Sequence, residues 1–80
     1  MNENINDNVA TSESQVKKIL AYLRSGKKIT PGEALDLCGT MRLGARIKDI
    51  EEIIGYPPHR DRVQVKNRYG KEVWVARYWL

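Results

Sequence analysis

Hydrophobic residues recur in the first third of the chain at the spacing of a helix that buries one face. Four of them fall at i, i+3, i+4 and i+7, namely Val16, Ile19, Leu20 and Leu23. The pattern predicts helix 1 from about Ser14 to Ser25, with Ser12 or Ser14 as its N-cap. Gly26 follows as the stop signal, because glycine adopts the left-handed conformation that commonly ends helices.

The second predicted helix is short and begins with a clear start signal. Thr30, Pro31 and Glu33 stand in the order of a capping box with proline at the first helical position. Gly39 is the expected end of this helix. The inward face is expected to hold three residues, namely Ala34, Leu35 and Cys38.

The third helix follows after a very short connection. Its apolar residues recur at i, i+4, i+7 and i+11, namely Leu43, Ile47, Ile50 and Ile54. We expect Thr40 to be the N-cap and Gly55 to end the helix. Gly44 lies inside it and costs about 1 kcal/mol relative to alanine. Close approach of a duplex or tight helix packing would each explain this glycine.

The last quarter changes from helical spacing to strand spacing. Val63 and Val65 alternate with polar residues, residues 67–70 resemble a turn with Gly70 at its positive-φ position, and a β-rich run ends the chain. We expect the even positions of this run to face the core, namely Trp74, Ala76, Tyr78 and Leu80. Trp79 is then expected to be partly exposed, either as a dimer or partner contact or lying over a helix edge.

These elements predict an α+β fold of three helices followed by a C-terminal β-hairpin, in one domain over residues 14–80. Residues 1–13 read as a disordered tail, because they are polar and contain few bulky apolar side chains. A tight glycine-containing turn between a short helix and a longer one is typical of a helix-turn-helix. In that motif the second helix enters the DNA major groove. The groove-facing candidates are Thr40, Met41, Arg42, Ala45, Arg46 and Asp49.

The hairpin tip carries three cations and no acid, which favours contact with DNA phosphates or the minor groove. The candidate residues of this wing are Lys66, Asn67, Arg68, Tyr69 and Lys71. We expect further contacts to the DNA backbone before helix 2, from Lys27, Lys28 and Thr30.

Charge and composition limit the kinds of function that we expect of this protein. Beyond residue 13 there are 14 basic against seven acidic side chains, a net of +7. Such an excess favours a polyanion as partner, although plain solubility explains it as well. One cysteine, no secretory signal and no membrane-length apolar run favour a cytoplasmic location. The sequence contains no nucleophile paired with a base, no phosphate-binding loop and no set of four metal ligands. We therefore expect that the protein is not an enzyme and that it has no cofactor and no small-molecule substrate.

The chain resembles the short winged helix-turn-helix proteins that are common in phages and prophages. The resemblance spans about residues 15–80 and rests on the stretches at 15–23, 26–35, 42–50, 55–57, 70–71 and 75–80. It implies a winged-helix fold and a DNA-binding role, with the helix that starts near Arg42 as the reader. We therefore expect a DNA-binding transcriptional regulator. An excisionase-like architectural DNA protein and a protein-interaction module are the alternatives, and a homodimer or a protein partner stays open.

Overall fold

The computed structural model describes residues 11–80, and helix α1 spans Ser12–Arg24. It begins two residues earlier than expected, because Thr11 is the N-cap and its hydroxyl accepts the Ser14 N–H at 3.1 Å. The expected cap at Ser12 or Ser14 was therefore wrong. The predicted tail lies outside the described residues up to residue 10, whereas Ser12 and Glu13 belong to α1.

Helix α2 spans Pro31–Cys38, and both halves of the predicted capping box are present. The Glu33 N–H donates to the Thr30 hydroxyl, and Glu33 Oε1 accepts the Thr30 N–H at 2.9 Å. Gly39 follows with φ of +77°, the left-handed conformation that ends the helix. The predicted start and end of this helix are both confirmed.

Helix α3 spans Leu43–Ile54 and ends at Gly55, whose φ is +87°. Thr40 is not its N-cap, because the helix begins three residues later and the capping position, Arg42, makes no side-chain cap. The Thr40 hydroxyl instead accepts the Arg42 N–H at 3.1 Å inside the turn. The prediction of Thr40 as N-cap was wrong, because its oxygen is used to shape the turn rather than to start the helix.

Strands β1 (His59–Lys66) and β2 (Glu72–Trp79) form the predicted antiparallel hairpin. A contact that the sequence did not predict joins this hairpin to the helices. Ile29, between α1 and α2, forms an isolated antiparallel bridge with Tyr78, and each accepts the other's N–H at 2.8 to 2.9 Å. The start of α2 is thereby fixed beside β2.

The core lies between the three helices and the base of the hairpin. Its buried apolar residues are Val16, Ile19, Leu20, Leu23, Ile29, Ala34, Cys38, Leu43, Ile47 and Ile50. Tyr78 and Leu80 pack against this cluster from the hairpin. Three helices followed by a hairpin confirm the predicted fold class. No helix within residues 11–80 is long and apolar enough to cross a membrane.

Two expectations about inward faces were wrong. Leu35 is 47% exposed, because Leu37 rather than Leu35 packs against the core from α2. Trp74 is 58% exposed, because the hairpin projects beyond the core and only its base reaches the helices. Trp79 is half-buried, in agreement with the expectation that it is partly exposed.

Candidate nucleic-acid interface

The turn between α2 and α3 places the first turn of α3 at the surface. Thr40 is buried at 3% exposure, whereas Met41 beside it is 87% exposed. Arg42 is exposed as well. The turn therefore offers Met41 and Arg42 to a partner, while Thr40, one of the predicted DNA contacts, has almost no surface to offer.

Small residues stand on the outward side of the first turn of α3. Gly44 and Lys48 are exposed, and Ala45 is half-buried. A Cβ at Gly44 would meet no atom of the described chain within 4 Å beyond its own stretch of helix. Internal packing therefore gives no reason for this glycine.

Arg46 turns toward α1 rather than away from the protein. Its Nη1 donates to Oε1 of Gln15 at 3.4 Å, and its side chain is only 17% exposed. Its Nε lies 3.2 Å from Oδ2 of Asp49, close enough for an ion pair but not aligned as a hydrogen bond. The ion pair with Asp49 lies within α3, whereas the hydrogen bond to Gln15 joins α3 to α1.

The hairpin has two faces with different chemistry. The antiparallel register places one set of side chains on what we call the inner face: Arg60, Arg62, Gln64, Lys66, Glu72, Trp74, Ala76 and Tyr78. The alternate residues form the outer face: His59, Asp61, Val63, Val65, Val73, Val75, Arg77 and Trp79. The inner face carries exposed cations, and the outer face carries all four valines of the hairpin.

The inner face and α3 form one continuous surface. Arg60 and Tyr78, at the base of the hairpin, line a hollow of about 260 Å³ together with Gly44 and Lys48 of α3. Glu51 lines the same hollow. The exposed half of α3 therefore leads directly onto the cations of β1.

An exposed aromatic side chain lies farther along the inner face. Trp74 is directly opposite Gln64 in the register, and the Arg62 guanidinium carbon lies 5.5 Å from the centroid of its ring. The contact holds Arg62 over the indole face. A planar aromatic group and a guanidinium are thus presented together at the middle of the wing.

The tip of the wing is built around Asn67. Its side-chain oxygen accepts the N–H groups of Tyr69 at 2.9 Å and Lys71 at 3.1 Å. Gly70, with φ of +80°, completes the turn and confirms the predicted positive-φ position. Asn67 therefore shapes the tip, while Arg68, Tyr69 and Lys71 are exposed on it.

The three predicted backbone contacts before α2 do not join this surface. Lys28 Nζ lies 4.3 Å from the centroid of the Trp79 ring, on the outer face, and Lys27 Nζ lies 5.1 Å from that of Tyr22. The Thr30 side chain is engaged in the capping box. The residues that the structure brings together are those of α3 and of the wing.

On the outer face, the positive charge of one arginine is neutralised by an ion pair. Arg77 donates through Nε and Nη2 to the two carboxylate oxygens of Asp61, at 3.0 and 2.7 Å. The hydrogen bond from Arg77 lowers the pKa of Asp61 below its ordinary value, and attraction to the guanidinium adds to the effect. This pair is internally neutralised, so the positive field of the wing comes from its other cations.

Sequence reasoning missed four residues of the interface, namely Lys48, Arg60, Arg62 and Trp74. The strand period was the available signal for the arginines. Positions 60, 62, 64 and 66 alternate with Val63 and Val65, so the same pattern that predicted the strand placed these polar residues together on the opposite face. Lys48 lies one turn beyond Gly44 on α3, the spacing at which helical residues share a face.

A family model described as a winged helix-turn-helix domain matches residues 14–80. This chain therefore belongs to the winged helix-turn-helix domain family, a DNA-binding fold that is typically non-enzymatic. The order of elements and the junction of α3 with the wing agree with that family. Comparisons with curated proteins and with solved structures found no match. Among the residues described, no group of three or more histidine, cysteine or acidic side chains could hold a metal ion.

Proposed function

We propose that this protein is a transcriptional regulator that binds specific sites in double-stranded DNA through α3 and the inner face of the wing. The observation that carries the proposal is the hollow shared by Gly44, Lys48 and Arg60. Because these residues line the same hollow, the exposed half of α3 and the cations of β1 belong to one continuous surface. A helix flanked by a cationic hairpin suits a duplex, in which a groove lies beside a phosphate strand.

The exposed residues of α3 suggest how bases are read. The major groove is wide enough to admit a helix, and the small side chains at Gly44 and Ala45 allow close approach. Lys48 is suited to the acceptors of guanine, and Met41 to apolar contact with a thymine methyl group. Arg42 extends this set at the start of the helix.

The wing supplies the contacts that do not depend on sequence. Arg60, Arg62 and Lys66 follow one another along the inner face, and Arg68 and Lys71 continue at the tip. This row is suited to a phosphate backbone, and the tip can enter a minor groove, whose negative potential favours arginine. Wing contacts therefore supply affinity, and α3 supplies selectivity.

A role in a phage or prophage and a cytoplasmic location belong to this proposal as well. They are supported by the resemblance described above and by the composition of the chain. The architectural alternative is not favoured by any feature of the interface.

Binding to a random-sequence duplex at two salt concentrations tests the proposal. Five exposed cations of the wing are expected to meet phosphates, namely Arg60, Arg62, Lys66, Arg68 and Lys71. If each meets a phosphate, log Kd changes with log salt by a slope of about 4.5, so affinity falls roughly 500-fold between about 50 and 200 mM salt. Fluorescence anisotropy measures both values. Absence of binding at the lower salt, or binding that salt does not weaken, would contradict the proposal.

A further inference from the structure

The outer face of the wing borders an open groove that shares only Lys66 and Arg68 with the proposed DNA interface. The groove lies between α2 and the hairpin and has a volume of about 840 Å³. Its apolar lining comes from Leu35 of α2 and from Val63, Val65 and Val75 of the hairpin. Leu35 is 47% exposed, so water meets an apolar surface contributed by two elements. Exposed apolar surface of this kind commonly marks a site of protein contact.

The two sides of the groove carry opposite charges. The α2 side has Glu33 and Asp36, and α2 contains no basic residue. The hairpin side has Lys66 and Arg68, the cations nearest the tip. An apolar centre therefore lies between an acidic side and a basic side.

The remaining charges of the groove do not alter this arrangement. Arg77 is held by both carboxylate oxygens of Asp61. Lys28 lies over the Trp79 ring, near the base of the hairpin. The net difference between the two sides thus comes from the exposed acids of α2 and the cations near the tip.

We propose that this groove is the docking site of a second copy of the same chain. A two-fold interface requires a surface that is complementary to itself. With the two-fold axis running along the groove, the acidic α2 side of each copy faces the basic hairpin side of the other. The apolar residues of the two copies then meet at the centre.

The dimer leaves α3 and the inner-face residues Arg60, Arg62 and Trp74 free for DNA, because none of them lines the groove. Lys66 and Arg68 belong to both surfaces, and in the dimer they face the acids of the second copy. Twelve residues line the groove, about half of the 20 to 30 that each partner contributes to an interface of standard size. Self-association is therefore weak in free solution. It becomes effective when two copies bind neighbouring half-sites on one duplex, where their local concentration is high.

A charge-exchange experiment without DNA tests the dimer. We expect sedimentation velocity of the wild-type protein to show reversible dimerisation with a Kd in the range of about 10 µM to 1 mM. Asp36→Lys and Arg68→Glu each place like charges at both contacts of the dimer, so each variant alone should sediment as a monomer. In a 1:1 mixture, every altered side chain of one variant faces an opposite charge on the other, and dimerisation should return.

Matched charge changes elsewhere serve as controls. Lys17→Glu on α1 and Glu52→Lys on α3 alter exposed charges outside the groove and should dimerise as the wild type does. Wild-type protein that stays monomeric over the whole concentration range would overturn the proposal and leave the groove to a different protein. A mixture that behaves as two separate monomers would overturn it too. Because no DNA is present, either failure leaves the DNA-binding proposal untouched.

Discussion

Helix α3 and the wing contribute different properties to one surface. Within α3, two basic side chains stand against three acidic ones, whereas the hairpin from His59 to Trp79 has six basic and two acidic side chains. The outward half of α3 is shaped by Gly44 and Ala45 and carries little positive charge. The two elements therefore have different roles in this proposal. The shape of α3 allows it to fit a DNA groove, and the positive charge of the wing attracts the DNA.

The division predicts that removing wing cations has the largest effect on DNA affinity. Arg60→Ala combined with Arg62→Ala should weaken binding to every duplex about equally, by about tenfold or more at moderate salt, and reduce the salt slope by about two. Anisotropy titrations at several salt concentrations measure both quantities. Lys17→Ala combined with Lys18→Ala on α1 removes two exposed cations outside the interface and is the matched control. An equal loss in the control would show that only net charge matters.

A side chain at Gly44 tests the fit of α3. Gly44→Leu should raise the free energy of unfolding by roughly 0.5 to 1 kcal/mol, because leucine favours a helix and a Cβ at this position meets open space. The same change should lower DNA affinity about tenfold by preventing close approach. Urea unfolding and anisotropy separate the two effects. Unchanged affinity in a stabilised variant would mean that this part of α3 does not approach DNA.

Arg46 is expected to act on stability rather than on base preference. Arg46→Ala removes the hydrogen bond to Gln15 and the ion pair with Asp49, so we expect a loss of about 1 to 2 kcal/mol in unfolding free energy. Sequence preference, measured by selection from a random library, should not change. Arg42→Ala is the matched control, and we expect it to leave stability within about 0.5 kcal/mol. A shift in the selected site for Arg46→Ala would instead restore Arg46 as a reader.

The smallest expected effect concerns the pH dependence of the outer face. Because the pKa of Asp61 is lowered in the folded protein, the pair with Arg77 stabilises the fold above the unfolded pKa. That contribution declines as pH falls through the lower, folded value, below about pH 4. Asp61→Asn should therefore lose less stability than the wild type between about pH 5 and pH 3. Identical pH profiles in urea unfolding would show that the pair adds no stability.

Local signals predicted the elements well because the backbone itself requires them. The capping box at Thr30, the left-handed glycines at positions 39 and 55, and the turn closed by Gly70 depend on residues that are neighbours in the sequence. The same is true of the buried stripe of α3. Each of these predictions needed no knowledge of how the helices and the hairpin pack together.

The interface was harder to predict because it depends on distant contacts. Arg46 lies on α3 between the buried stripe and the exposed face, and only the position of Gln15 on α1 decides which way it turns. The two tryptophans alternate correctly along β2, but how far the core extends along the hairpin decides that Trp74 is the exposed one. The bridge between Ile29 and Tyr78 joins residues far apart in the chain and leaves no local signal.

The most direct test of the shared surface is the amide and indole NMR spectrum of the ¹⁵N-labelled protein during titration with a short duplex. We expect the amide resonances of Gly44, Lys48 and Arg62 to shift. The indole N–H resonance of Trp74 should also shift, whereas that of Trp79 should not. Such a result would show that α3 and the inner face of the wing contact DNA together. Shifts confined to α1 or to the outer face would contradict this account.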